Sequence, residues 1–169
     1  MNRLILFRHG KAERSAPGGD VERRLAERGR HDAALMGQVL ADKGYAPDLA
    51  LVSGAVRTRE TWAAAQPSFP DAKVEFRRDL YLASDSLIWS LAETLGEDRG
   101  TVMVVGHNPG LQDLTLMLMR QGGEGMALQA RAQARFSTAS IAVFDFDVAG
   151  RPGCEALLHA SDFGGGAGE

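Results

Sequence analysis

Cysteine is nearly missing: Cys154 is the only one in 169 residues. That excludes an intrachain disulfide and fits a reducing compartment. Long apolar runs are missing too. The N-terminal run, Leu4-Ile5-Leu6-Phe7, has four residues, too few for a signal-peptide core or a membrane span. The sequence therefore reads as cytoplasmic, with no membrane partner. There is no excess of positive charge, with 19 Lys and Arg against 22 Asp and Glu, a net charge of −3 and a pI near 5.8. Even the densest basic group, Arg23, Arg24, Arg28 and Arg30, is interleaved with Glu22 and Glu27. A nucleic-acid partner is not expected. No His-x-x-x-His or Cys-x-x-Cys pairing occurs, and neither a metal nor another cofactor is expected. Internal repeats, heptads and long linkers are also absent. The chain reads as one domain, residues 1–163, with a flexible glycine-rich tail at 164–169.

A hydrophobic content of 44% and a charged content of 24% suit a globular protein with a normal core. Residues 3–7, 49–52 and 101–105 are short, almost continuous apolar runs, the pattern of parallel strands covered on both faces. Helical spacing fills the gaps. Residues 25–43 place Leu35, Met36, Val39 and Leu40 among polar residues and stop at Gly44. Residues 56–65 end before Pro67. Residues 84–95 start at a Ser84 cap and align Leu87, Ile88, Leu91 and Leu95. Asn108-Pro109 reads as a cap and first-turn proline leading into residues 111–119. Further strands are expected at 140–146 and, more weakly, at 74–76 and 155–159, with a flexible break at 122–125. Together these predict an α/β fold: a three-layer α/β/α sandwich with a mostly parallel central sheet.

The polar residues gather where strands end. The first run terminates in Arg8-His9-Gly10. The second terminates in Ser53-Gly54, with Arg57 in the following helical turn, and the third ends in Gly106-His107. Carboxyl ends of parallel strands share one edge of an open sheet, and ligands bind there. Arg8, His9, Arg57 and His107 therefore meet on one rim. Two guanidiniums and two imidazoles would repel one another unless an anion joined them. Phosphate fits, because its oxygens accept bidentate arginine bonds and helix N-termini add N–H donors. A neutral imidazole beside it can attack phosphorus while arginines and a second histidine spread over the equatorial oxygens. Gly10 allows a sharp turn and close backbone approach.

Leu6-Phe7-Arg8-His9-Gly10, Ser53-Gly54-Ala55-Val56-Arg57-Thr58-Arg59-Glu60-Thr61 and Val105-Gly106-His107-Asn108 together resemble the three signatures of the histidine phosphatase superfamily (phosphoglycerate-mutase-like). The resemblance implies His9 as nucleophile, with Arg8, Arg57, His107 and Gly10 around the phosphate. The short chain and the segment Asp20-Val21-Glu22-Arg23-Arg24-Leu25 are similar to the small phosphohistidine protein phosphatases. There an Arg-Pro-Leu segment follows the first loop. Here Arg24 replaces the proline, and Arg23 joins the phosphate ligands. Gly54 stands where the family often has proline. Larger members carry a glutamate acid on an insert after the third strand. The corresponding residues 78–84 hold none, leaving Asp20 and Asp79 as candidate acids.

The reading is a phosphatase acting through phosphohistidine on His9, with a phosphorylated protein as partner and substrate. A small phosphoester substrate is the alternative within the class. A non-catalytic phosphate-binding module is the alternative outside it. Other eye-catching residues have plainer readings. His31 and His159 read as structural or solvated, Ser53 as a turn or cap, Arg59 as solvent-facing, Trp62 and Trp89 as core, and Cys154 as unactivated.

Overall fold

The structure, a computed structural model, describes residues 1–166. Six strands form one sheet: β1 (Arg3–Arg8), β2 (Leu49–Ser53), β3 (Lys73–Arg77), β4 (Thr101–Gly106), β5 (Ile141–Phe146) and β6 (Pro152–Leu158). Their order is β3-β2-β4-β1-β5-β6. The first four are parallel, and β5 and β6 add antiparallel on the far side of β1. The helices are α1 (Glu27–Asp42), α2 (Val56–Ala65), α3 (Asp85–Leu95), α4 (Gly110–Gly122) and α5 (Met126–Ala134).

Alternation along β1 explains the layering. Ile5 and Phe7 point into a core with Met36 and Leu40 of α1 and Trp62 of α2. Leu4 and Leu6 point the other way, against Leu111 and Leu114 of α4 and Ile88 of α3. All four are fully buried, each worth about 1.5–3 kcal/mol relative to exposure. An apolar run with no polar face is therefore what a central strand between two helical layers needs. The expected three-layer sandwich with a mostly parallel sheet is the observed architecture.

Some boundaries differ from the expectation. The segment after Gly122 is a tight turn, with Gly123 left-handed at the end of α4, and it leads into α5. Little in residues 126–134 announced a helix, because Met126 is exposed and only Ala132 is buried. Strand β6 begins at Pro152, three residues earlier than expected, on the sheet edge where a missing N–H is tolerated. Asn108 does not cap α4. The helix starts at Gly110 with Pro109 in the capping position, and the Asn108 side chain bonds elsewhere. Of the expected tail, Gly165 N–H donates to the Ala160 carbonyl and Gly166 N–H to the Asp32 carboxylate. Residues 167–169 lie outside the described residues. Among the described residues no helix is long and apolar enough to cross a membrane.

Candidate active site

At the carboxyl edge of the sheet, a cleft of about 420 Å³ is lined by Arg8, His9, Asp20, Arg23, Arg57 and His107, among others. Strand β1 delivers Arg8 and His9, and β4 ends immediately before His107. Because β1 and β4 are paired in register, with Arg8 opposite Gly106, the two histidines emerge side by side. Their ring centroids are 5.4 Å apart and the planes are tilted by 57°. Arg57 arrives from the first turn of α2, which β2 feeds directly.

Each ring is held by one nitrogen. His9 Nδ1 donates to the Gly10 carbonyl at 2.8 Å, which leaves Nε2 with the lone pair. His107 Nε2 meets Ser53 Oγ at 2.7 Å. Its Nδ1 is buried with no hydrogen-bond partner among the described residues, as is Arg57 Nε. Gly10 braces the first loop: its N–H donates to Thr61 Oγ1, and Thr61 in turn donates to the Arg57 carbonyl. Gly10 does not line the cleft, and its φ lies outside the left-handed region. The glycine is needed for packing instead. A Cβ there would sit 2.5 Å from the Gly29 carbonyl oxygen of α1.

The electrostatics favour an anion and neutral imidazoles. Arg8, Lys11, Arg23 and Arg57 face the cleft against the single carboxylate of Asp20. Burial, and then the neighbouring arginines, push His9 down to about 3, although its bond to Gly10 opposes this. Burial, His9 and Arg57 push His107 down to about 3 as well. Asp20 is tied by Tyr81 Oη, by Arg23 Nε at 2.9 Å and by Arg57 Nη2 at 3.1 Å. These bonds, Tyr81's first, hold its carboxyl down at about 2. Among the described residues, no group of three or more His, Cys, Asp or Glu could hold a metal ion.

Comparison with known proteins shows the family. The model of the histidine phosphatase superfamily (branch 1) matches residues 4–81. An uncharacterized protein of Mycobacterium tuberculosis (strain ATCC 25618 / H37Rv) is 33% identical over 157 residues, spanning 90% of this chain and 96% of that one. Among solved structures, SixA of Agrobacterium tumefaciens, described as a candidate phosphohistidine phosphatase, is 32% identical with a TM-score of 0.80. It covers 94% of this chain and 97% of its own. The chain belongs to the histidine phosphatase superfamily. A protein histidine phosphatase SixA complexed with tungstate shares the fold, with a TM-score of 0.78, 21% identity and coverage of 95% and 98%.

Against the superfamily pattern, the structure brings together His9, His107, Arg8, Arg57, Arg23 and Asp20 and leaves Asp79 apart. Asp79 is paired with Arg77 at 2.8 Å, does not line the cleft, and is held below its usual range by that arginine. Arg23 reaches the rim despite the Arg24 replacement, fixed between Asp20 and the Glu13 carbonyl. Sequence reasoning missed four contributors. Ser53 is a partner of His107 as well as a turn residue. Tyr81 holds Asp20 and lies edge-on to His107 with centroids 5.5 Å apart. The Phe136 carbonyl accepts from both Arg8 Nη1 and Asn108 Nδ2 at 2.9 Å. Asn108 thus pins the loop after α5 to the site. Ser53 and Asn108 carried a signal, because both stand in the strand-end motifs and Ser53 ends a strand neighbouring the one before His107, whereas Tyr81 and the Phe136 carbonyl carried none.

The plainer readings also find their places. His159 is buried with Nδ1 bonded to Ser140 Oγ at 2.8 Å, and His31 is exposed beside Asp32. Trp62 is core, while Trp89 is half-buried against Phe146. Burial raises the Cys154 thiol to about 11, so it stays protonated at neutral pH.

Proposed function

We propose that this protein is a phosphohistidine phosphatase that acts on a phosphorylated protein through a covalent intermediate on His9. The observation that carries the reading is the state of His9. It is a buried, neutral imidazole whose Nδ1–H is committed to Gly10, which leaves a fixed Nε2 lone pair in a cation-lined cleft. A phosphoryl group bound by Arg8, Arg57 and His107 presents phosphorus to Nε2. The new N–P bond forms as the bond to the substrate nitrogen breaks. The cations meet the charge on the equatorial oxygens. Water then attacks phosphorus, the His9 bond breaks, and inorganic phosphate is released.

The substrate assignment follows from the acid that the site lacks. Asp20 is held down at about 2, and Asp79 is paired with Arg77 outside the cleft. Neither keeps a proton for an alkoxide at neutral pH. The imidazole of phosphohistidine can leave carrying its own proton, so it needs no such acid. Asp20, a carboxylate at the rim, is suited to accept a proton from water in the second step. The segment between β3 and α3, residues 78–84, is short, so no long insert rises there over the cleft and a protein surface can approach. A cytoplasmic location is consistent with the single protonated Cys154 and is part of the proposal.

The test is a panel of histidine-phosphorylated proteins and small phosphoesters scored by kcat/KM, with acid-labile phosphoenzyme trapped on wild type and His9→Ala. Preference for phosphohistidine, with label on wild type alone, is expected. Preference for sugar phosphates would defeat the substrate assignment, and undiminished labelling of His9→Ala would defeat the mechanism.

A further inference from the structure

A second groove, of about 580 Å³, adjoins the cleft on the β3 side of the sheet. The two share a wall. In the 3-10 turn Asp20–Glu22, Asp20 faces the cleft while Val21 and Glu22 face the groove. In the next loop, Leu82 faces the cleft and Tyr81 the groove. The floor includes Gly54 and Ala55, the turn leaving β2. The groove therefore lies within reach of a chain that places one side chain in the cleft.

The lining is unusual for an exposed sheet edge. Phe76 on edge strand β3 is 49% exposed, and Val21 is 38% exposed. An apolar edge of this kind is a liability unless a partner uses it. Above the Phe76 ring stands the Arg59 guanidinium, 5.4 Å from the centroid. Arg78 is exposed on the same lining. The third arginine there, Arg77, is neutralised by Glu75 and Asp79. Among the described residues, Arg59 and Arg78 make no ion pair, and Glu22 is the only carboxylate on the lining. The positive field of the cleft thus continues over an apolar floor, on a chain whose net charge is −3. Aromatic and arginine side chains are the usual anchors of protein recognition.

We infer that this groove binds the segment flanking the phosphorylated residue of the protein substrate, a segment carrying carboxylates and an apolar side chain. The inference rests on the protein-phosphatase reading above. Arg59 and Arg78 receive the carboxylates, and Phe76 and Val21 receive the apolar side chain. Small phosphorylated molecules fill the cleft alone and do not reach the groove.

The test compares synthetic phosphohistidine peptides with Asp/Leu flanks, peptides with Lys/Leu flanks, and p-nitrophenyl phosphate. Each is offered to wild type, to the double variant Arg59→Glu/Arg78→Glu, and to Phe76→Ser. Wild type is expected to favour the acidic peptide in kcat/KM by about tenfold, the scale of two rim charge contacts. That preference should shrink with added salt. Charge reversal should abolish or invert it, and Phe76→Ser should slow both peptides, while p-nitrophenyl phosphate changes by under about twofold because no rim contact is involved. Wild-type peptide preference retained in the double variant overturns the inference and leaves the protein-phosphatase reading intact. Wild type that turns over small phosphoesters but neither peptide overturns both. A wild-type dimer that the double variant dissolves would assign the groove to a second copy, and this too overturns the inference.

Discussion

Ser53→Ala is the substitution that most directly separates a positioned histidine from a merely buried one. Ser53 is fully buried, and its hydroxyl meets His107 Nε2 at 2.7 Å while the Ala55 N–H lies 3.4 Å away. Alanine fills nearly the same space, so almost no cavity opens. What changes is His107, only 3% exposed, whose Nδ1 already lacks a partner among the described residues. Without the hydroxyl both ring nitrogens would be unpaired. One newly unsatisfied buried group costs about 1–3 kcal/mol. In a chain of this length each kcal/mol moves Tm by about 2–4 °C, so about 2 kcal/mol predicts a fall of about 4–8 °C in a calorimetric scan. Activity should suffer separately. A ring free to tilt misplaces a phosphate ligand, and kcat should fall on the order of 10–100-fold with KM little changed. The 15N shifts of His107 should report one tautomer in wild type and an average in the variant. Ser53→Cys, with a weak S–H donor, should recover part of both effects. A variant with lower Tm but unaltered kcat and tautomer would refute the positioning role, and one unchanged in every respect would refute the hydrogen bond.

Three further expectations follow from the same geometry. Gly10→Ala should be severely destabilising, by at least about 1–3 kcal/mol, because the Gly29 backbone 2.5 Å from the new Cβ cannot yield. Gly125→Ala, with nothing within 4 Å, is the control and should melt within about 2 °C of wild type. Stability should fall on acidification. His9 and His107, held at about 3 in the fold, titrate near 6.5 when unfolded. Between those values the unfolded chain binds more protons, and each histidine removes up to about 1.4 kcal/mol per pH unit. Urea midpoints that stay level from pH 7.5 to 5 would contradict this. Finally, Asp20→Asn should slow hydrolysis of the phosphoenzyme more than its formation, so rapid-quench experiments on a phosphohistidine peptide should show a larger burst than wild type. Equal slowing of both steps would remove Asp20 from the hydrolytic role.

Legibility in the sequence followed how each residue is placed. Arg8, His9, Arg57 and His107 hang directly from the ends of strands or from the first turn beyond one. The shared carboxyl edge of parallel strands therefore determines where they go, and the apolar runs reveal those strands, while order and register come from the structure. Asp79 shows the limit of that reasoning. It also follows a strand, β3, but Arg77 two residues earlier draws its carboxylate aside. Nothing in strand periodicity foretells a local ion pair. The bond between Asn108 and the Phe136 carbonyl was invisible for another reason. Their contact joins residues 28 positions apart through the loop after α5, a helix that buries only one residue and so leaves almost no amphipathic trace. Gly10 was legible as a residue but not as a cause. Its partner Gly29 sits in α1, and only the approach of that helix to β1 shows that packing, rather than turning, requires the glycine.

The arrangement around Asp20 ties these observations into one electrostatic argument. Burial, with the field of the cleft's arginines adding to it, keeps both imidazoles neutral at any ordinary pH, which suits a nucleophile but weakens a phosphate clamp. Asp20 offsets part of that field while drawing directly on Arg23 and Arg57. A dianionic phosphoryl group must compete with this carboxylate for the same guanidiniums. On the proposed mechanism its greater charge and extra acceptors would win Arg57 and free the Asp20 carboxylate from one of its three ties. That release would raise the basicity of Asp20 at the step where, on this proposal, a proton is taken from water. The bound dianion would also raise the proton affinity of His107, whose Nδ1 has no hydrogen-bond partner among the described residues. On the proposed mechanism, the lack of a proton-holding acid among the described cleft residues and the tethered Asp20 carboxylate are thus two consequences of one choice of residues, and together they support a leaving group that is already protonated.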